Sequence, residues 1–387
     1  MYINAQSNLN EKKAIEIRID MSSAQSSEHV MDCFSSVSYL PLQTTKQSAF
    51  GEISQMEITT KYYIIWDEIS NCILTFNKAG EFVSKITNTD KLTEVPFKKI
   101  YHFSVDEEKG QIMFSDRFSQ FMYYYTLNGK FIKKIKRPNH FGLYYISRKG
   151  FNAYFLGYDF TYLRSTGKPA HNFVVEKPTG QIELYLPFDT SALDYTDILS
   201  TTQAFYNNQN GIINCSSSYN YNIYSIDSLC NVWNSFRFVM PAVNTVPDDF
   251  LTNSSFKGKR MQYTASKSDL VFAITDFYQC DDELIFKLDR FGANEIFTYN
   301  LKSGNLRSLS NLEPDKTTFL LPALGKRIYA KDNDKRLVSS IDAASMFVYQ
   351  SDLIMNNSWA GSLSEPLKKF FKLDGQQNPV LTILTLK

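Results

Sequence analysis

Apolar and polar positions alternate in short runs along most of the chain, and the runs are separated by clusters of Asn, Asp, Lys, Thr and Gly. Ile53 to Ile58 and Tyr62 to Trp66 read as two strands split by Thr59-Thr60-Lys61. Ile73 to Ile86 reads as a hairpin. Ile73, Phe76, Phe82 and Ile86 suit a pleated surface, and Asn77-Lys78-Ala79-Gly80 supplies a turn whose glycine can take positive φ. Four short strands therefore fall within about fifty residues, the length of one blade-like unit.

The same pattern recurs. Ile73 to Ile86 lies over Met122 to Ile135 without a gap at an offset of 49, so that Gly80 meets Gly129, Phe82 meets Phe131, Val83 meets Ile132, Lys85 meets Lys134 and Ile86 meets Ile135. Upstream, Asp67 meets Asp116. Fainter copies run from Phe173 to Leu186 with Gly180 in the turn, from Ile223 to Phe236 with Cys230 there, and from Ile296 to Leu309 with Gly304. The interval from Cys230 to Gly304 is 74 residues, which places an insertion within Pro241 to Ser266. Thr245 to Leu251 in that insertion reads as a capped, acidic helical turn. Ser364 to Phe371 reads as a second helix with Leu367, Phe370 and Phe371 on one face. Thr317 to Leu321 and Lys326 to Ala330 read as further strands.

Four-stranded units at this spacing predict a β-propeller. Leftover strands at both ends, Ile15 to Ile19, Val37 to Leu42 and Val380 to Leu386, predict a blade completed from both termini, which brings the count to six and leaves no open edge at the closure. A βαβ arrangement needs helical patterns between all strands, and tandem sandwiches give no reason for the offset. The expected organisation is an all-β, six-bladed propeller of four-stranded antiparallel blades with a few short inserted helices. It occupies residues 15–387 as a single domain, and residues 1–14 form a disordered N-terminal segment or the remnant of a signal region.

Composition changes this picture in three ways. Lys plus Arg number 41 and Asp plus Glu 40, so a net charge of +1 gives no bulk attraction for nucleic acid or an anionic membrane. Aromatic residues reach 15%, more than enough for packing between blades. The five cysteines, Cys33, Cys72, Cys215, Cys230 and Cys280, are widely spaced and suggest buried thiols instead of disulfides or a zinc site. No apolar run is long enough to span a membrane. Tyr2-Ile3-Asn4-Ala5-Gln6-Ser7 reads like the tail of a signal peptide, with a disordered cytoplasmic N-terminus as the alternative.

Three segments carry a family resemblance. Tyr39-Leu40-Pro41-Leu42-Gln43-Thr44-Thr45 followed by Gly51-Glu52-Ile53, the hairpin Phe76 to Ile86, and the ending Asn378-Pro379-Val380-Leu381 to Leu386-Lys387 resemble the opening, blade hairpin and terminus of a family of six-bladed β-propellers. These are distantly similar to NHL-repeat propellers and occur as exported or lipid-anchored proteins in Bacteroides and related gut bacteria. The resemblance implies the fold and a periplasmic or cell-surface location, but no common activity. Many relatives have a Gly-rich loop after the first hairpin, where this chain has Thr87 to Pro96.

Candidate chemistry is sparse. Asp67 and Asp116 are repeat-equivalent acids that could bind a sugar or a divalent cation, or could simply fix turns. NHL-like propeller lyases gather histidines on a metal, which makes His102, His140 and His171 weak candidates; surface or structural histidine is the alternative. No G-x-S-x-G, P-loop or H-E-x-x-H pattern occurs. Tyr144, Tyr158 with Asp159, Tyr219 and Tyr221 offer stacking surfaces for glycans or peptides if they gather at one face, against inter-blade packing as the other use of such rings. The leading expectation is a monomeric, non-catalytic binding or scaffold propeller of the cell envelope without cofactor, which holds a glycan, peptide or protein partner at one mouth. The alternative is a hydrolase or lyase with a site, with or without a divalent metal, at the central channel.

Overall fold

The apolar runs pair in the order in which they occur. The computed structural model describes residues 9–26, 29–88, 97–116, 118–137, 142, 144–148, 151–158, 170–197, 203–208, 211–332, 334–355 and 363–387. The N-terminal strands are β1 (Ile15–Arg18), β2 (Gln25–Ser26) and β3 (Phe34–Pro41). Blade 1 is β4 (Gln55–Ile58), β5 (Tyr62–Asp67), β6 (Cys72–Asn77) and β7 (Phe82–Ile86). Blade 2 is β8 (Ile100–Asp106), β9 (Gln111–Asp116), β10 (Phe121–Thr126) and β11 (Phe131–Lys136). Blade 3 is β12 (Tyr144–Arg148), β13 (Phe151–Phe155), β14 (Ala170–Glu176) and β15 (Ile182–Phe188). Blade 4 is β16 (Phe205–Asn207), β17 (Ile213–Cys215), β18 (Asn222–Ile226) and β19 (Val232–Val239). Blade 5 is β20 (Val271–Cys280), β21 (Glu283–Arg290), β22 (Asn294–Asn300) and β23 (Leu306–Ser308). Blade 6 is β24 (Ala330–Lys331), β25 (Arg336–Ile341) and β26 (Val380–Leu386), completed by β3 from the N-terminus. The fold is a six-bladed β-propeller.

The repeat is visible in the backbone as well as in the residues. Gly80, Gly129 and Gly180 take φ of 79°, 80° and 79°, and Cys230 and Gly304 follow at 66° and 72°. A β-bulge falls between Thr75 and Phe76 in blade 1 and between Tyr124 and Tyr125 in blade 2, again 49 residues apart. Gly80 could not carry a side chain even apart from its φ, because a Cβ there would stand 2.5 Å from the Pro41 carbonyl oxygen.

Tertiary contacts divide the chain into two units, Met1–Ala24 with Arg137–Leu306 and Gln25–Lys136 with Arg307–Lys387. The first contains blades 3 and 4 and the first three strands of blade 5. Its main core joins Tyr144, Phe155 and Phe173 of blade 3 to Phe205, Ile213 and Tyr224 of blade 4. The second contains blades 1, 2 and 6. There Ile64 and Trp66 face blade 2, joining Phe103, Phe114 and Tyr123, whereas Tyr63 and Ile65 face blade 6, joining Val338 and Leu381. Both faces of β5 are thus buried, which is why its sequence is an unbroken apolar run and not an alternation.

Three local readings change. Thr317 to Leu321 is not a strand: the Asp315 carboxylate accepts hydrogen bonds from Thr317 N and Thr318 N, winding a 3-10 turn over Lys316–Thr318, and Phe319 and Leu320 follow with positive φ. In the insertion, the α-helix is not at Thr245 to Leu251 but at Arg260–Ala265. The segment after β25, which carried no clear pattern, holds a 13-residue helix, Ala343–Met355, ahead of the expected helix at Glu365–Phe370. The chain is also already laid on blade 4 before residue 15, since Asn10 N donates to Val232 O and Lys12 Nζ stands 3.9 Å from the Trp233 ring centroid.

Candidate binding surface

In a meander blade, the turn between the second and third strands and the connection leading to the next blade leave at the same end. Asp67 and Asp116 close the second strands of blades 1 and 2 at that end, and both carboxylates are fully buried. Asp67 accepts from Gly51 N at 2.8 Å and Ile69 N at 3.0 Å. Asp116 accepts from Lys98 N, Lys99 N and Phe118 N at 3.2, 3.1 and 3.1 Å. Each acid therefore staples the incoming connection to the turn of its own blade, both of its oxygens accepting from backbone N–H groups. Two residues beyond each acid stands an apolar side chain in the open: Ile69 is 71% exposed and Phe118 68%. Asn71 joins the two blades at this end by donating to Lys98 O and accepting from Ile100 N.

Of the tyrosines singled out in the sequence, Tyr144, Tyr158 and Tyr219 are buried and Tyr221 is half-buried. Tyr144 lies in the core between blades 3 and 4, 6.2 Å from the Phe155 ring. Tyr158 is buried with φ of 61°; its amide donates to Asn172 Oδ1 and its hydroxyl accepts from Ser217 Oγ at 3.1 Å. Burial pushes its pKa up to about 12, against the opposing effect of the Ser217 bond. Tyr219 donates to the Asp197 carbonyl and packs edge-on against Phe250, while Tyr221 donates to Val271 O and accepts from Val246 N. Burial raises the pKa of both. Tyr219 and Tyr221 pack with Val246, Phe250 and Leu270, and Tyr158 packs in a second cluster with Leu193, with Leu251 bordering both; they form a floor beneath residues 189–197 and 240–270. Asp159 lies outside the described residues.

That floor is locked by a pair that periodicity gave no means to find. Arg260, with no exposed surface, donates from Nη1 to Asp197 Oδ2 at 2.7 Å and to Ala192 O, from Nε to Phe250 O and from Nη2 to Asn253 O. Asp197 also accepts from the amides of Asp194, Gly258 and Arg260. The buried charges are paired and Asp197 and every guanidinium nitrogen of Arg260 make further hydrogen bonds, the condition under which such a pair is tolerated.

His102 is buried on β8 in the second unit and His171 is buried on β14 in the first, while His140 lies outside the described residues. Among the described residues, no group of three or more His, Cys, Asp or Glu is placed to hold a metal ion. All five cysteines are buried. No helix among the described residues is long and apolar enough to cross a membrane.

Exposed apolar side chains concentrate at one end of the blades in each unit. In the second, Ile69 and Phe118 are joined by Val348, Tyr349 and Leu373 from the helical insertion between β25 and β26, which occupies the equivalent turn of blade 6. In the first, Tyr195, Val243 and Met261 stand on the inter-blade connections and Phe291 on the equivalent turn of blade 5. At the opposite end, the hairpin turns offer Leu229.

Comparison with known proteins agrees with this architecture. A crystal structure of a Bacteroides fragilis NCTC 9343 protein regarded as exported is similar with a TM-score of 0.69 at 16% identity, covering 97% of this chain and 100% of that one. Weaker likenesses include a DUF4221 family member from Bacteroides vulgatus ATCC 8482, TM-score 0.45 at 10% identity over 92% and 97% of the two chains. Another is virginiamycin B lyase from Staphylococcus aureus, TM-score 0.35 at 13% identity over 78% and 80%. No curated protein matches. The profile of the family described as a domain of unknown function, DUF4934, matches residues 15–385, and the chain belongs to that family.

Proposed function

We propose that this protein is an exported, non-catalytic binding propeller of the bacterial cell envelope, holding a glycan, peptide or protein partner on its second-to-third-strand turns and inter-blade connections. The observation that carries this reading is the placement of Ile69 and Phe118, repeat-equivalent apolar residues held outward by buried carboxylates that accept backbone hydrogen bonds through both oxygens. An exposed side chain on a rigid turn loses little conformational freedom when a ligand covers it. Tyr195, Val243 and Phe291 extend the same kind of surface in the first unit. The likeness to a Bacteroides fragilis protein regarded as exported supports the location. Glycan and peptide arrays probed with the wild-type protein and with an Ile69→Ser/Phe118→Ser variant test the reading. Binding is expected for the wild type and loss of it for the variant at unchanged melting temperature. Array signals indifferent to the substitutions, or turnover of glycoside or lactone substrates by the wild type, would overturn it.

A further inference from the structure

The outer edges of the blades differ in how they are covered. The edge of blade 4 carries β1 as a parallel fifth strand, with Ile15 to Arg18 paired to Phe236 to Val239. The edge of blade 5 carries β2 in the same sense. On blade 1, Phe82 N of β7 donates to Gln43 Oε1 and Lys85 Nζ to Ala49 O, so the preceding connection lies against that strand. On blade 3, β15 is broken by Pro187 and by the positive φ of Leu186. On blade 6, Tyr39 of β3 packs with Leu367 and Phe370 of the helical insertion.

Among the described residues, blade 2 shows no such covering strand, helix or proline. Its outer strand β11 is a six-residue run, Phe-Ile-Lys-Lys-Ile-Lys, whose one irregularity is the bulge at Ile132; it is exposed at every position but one, and Phe131, Ile132 and Ile135 are each about 40% exposed. The lysines are held up by their own blade: Lys133 Nζ lies 4.9 Å from the Tyr124 ring centroid and Lys134 Nζ 4.8 Å from that of Phe121. The charge is one-sided over a long stretch. Between Asp116 and Asp159 the sequence has eight Lys and Arg and no Asp or Glu, in a chain of net charge +1.

We propose that the outer edge of blade 2 is a strand-addition site for an extended acidic peptide of another protein, with alternating apolar and carboxylate side chains. The backbone of β11 supplies the ladder, Phe131, Ile132 and Ile135 the apolar contacts, and Lys133, Lys134 and Lys136 the charge selection. The chain itself shows that a blade edge takes an added parallel strand, since Ile15-Glu16-Ile17-Arg18, alternating apolar and charged residues, is accepted on the edge of blade 4. Pairing of two copies through β11 would set lysines against lysines, which like-charge repulsion disfavours, so the occupant is a different chain.

The test uses the full-length protein and a fluorescein-labelled octapeptide of alternating Glu and Val, followed by anisotropy, with the Lys–Val octapeptide and coil poly-glutamate as comparisons. Saturable binding of the Glu–Val peptide is expected at about 50 mM salt, weakening as salt rises. Binding should be at least about tenfold weaker for the Lys–Val peptide and for Lys133→Glu/Lys134→Glu/Lys136→Glu. Amide hydrogens of residues 131–136 should gain exchange protection. If the charge-reversed variant does not fold, the triple Lys→Gln variant takes its place. Equal affinities across these comparisons, absence of saturable binding, or equal competition by poly-glutamate without amide protection would overturn strand addition. The last of these would leave only an electrostatic patch.

Discussion

The exposed ends of blades 1 and 2 and those of blades 3 to 5 solve the same problem with different means. In blades 1 and 2, one carboxylate per blade, Asp67 or Asp116, fixes a tight turn locally by accepting two or three backbone N–H bonds. In blades 3 to 5, the connections are long, and one ion pair, Asp197 with Arg260, ties together segments 63 residues apart. The first design is modular and repeats with the sequence. The second is a single lock above a tyrosine floor, so one substitution should loosen the whole cap.

That contrast can be broken at its strongest point first. Arg260→Ala leaves Asp197 charged and buried and should cost about 3–5 kcal/mol, read as a shift in the urea midpoint. It should also speed hydrogen exchange through residues 189–197 and 240–270 while leaving blades 1 and 2 protected. Uniform loosening of both units would contradict the idea of a local lock. Asp67→Ala or Asp116→Ala should cost less, about 1.5–3 kcal/mol each, through the charge-assisted bonds to backbone amides. The two costs should add, because each staple serves its own blade. A double variant far from the sum would show that the turns are not modular.

The tyrosine floor predicts a pH response. Tyr158 is favoured in its neutral form in the folded protein, with a pKa pushed up to about 12 by burial. Its contribution is fully present below the ordinary phenol value near 10 and is lost as pH rises toward 12. Thermal melts between these limits should show a falling stability whose slope is reduced in Tyr158→Phe; an unchanged slope would assign the loss to other groups. The smallest effect concerns the repeat itself. Cys230 occupies, with φ of 66°, the turn position that is glycine in the aligned copies. Cys230→Gly should relieve about 0.5–1 kcal/mol of left-handed backbone strain but lose the packing of a side chain buried between blades 3 and 4, so the melting temperature should move little, whereas Cys230→Ala, which keeps the strain and loses the thiol, should lower it.

The fold was legible because its evidence is periodic. The turn glycines, the aromatic positions of the hairpins and the offset of 49 all survive in the backbone, down to the repeated β-bulge. The closure of blade 6 by β3 was legible from unmatched strands at the two ends. The surface was much less so. Asp67 and Asp116 stood out by type and register, but whether a carboxylate faces a ligand or its own backbone depends on the neighbouring connection, which the repeat does not encode. Tyr144, Tyr158 and Tyr219 stood out by density, yet aromatic density marks packing wherever two blade faces meet. Ile69 and Phe118, two residues past the noted acids, carried a signal that was available: apolar residues at matching turn tips, where polar ones are ordinary. Asp197 and Arg260 carried none, since their pairing depends on how an insertion folds back. The insertion between β25 and β26 likewise left no repeat to follow.

The most direct measurement is the affinity of one array-identified ligand for the wild type and for the Ile69→Ser/Phe118→Ser variant, determined by calorimetry at matched melting temperature. A loss of about tenfold or more is expected if these side chains form the contact surface. Equal affinity for the two proteins would contradict it and move the binding surface away from the turns of blades 1 and 2.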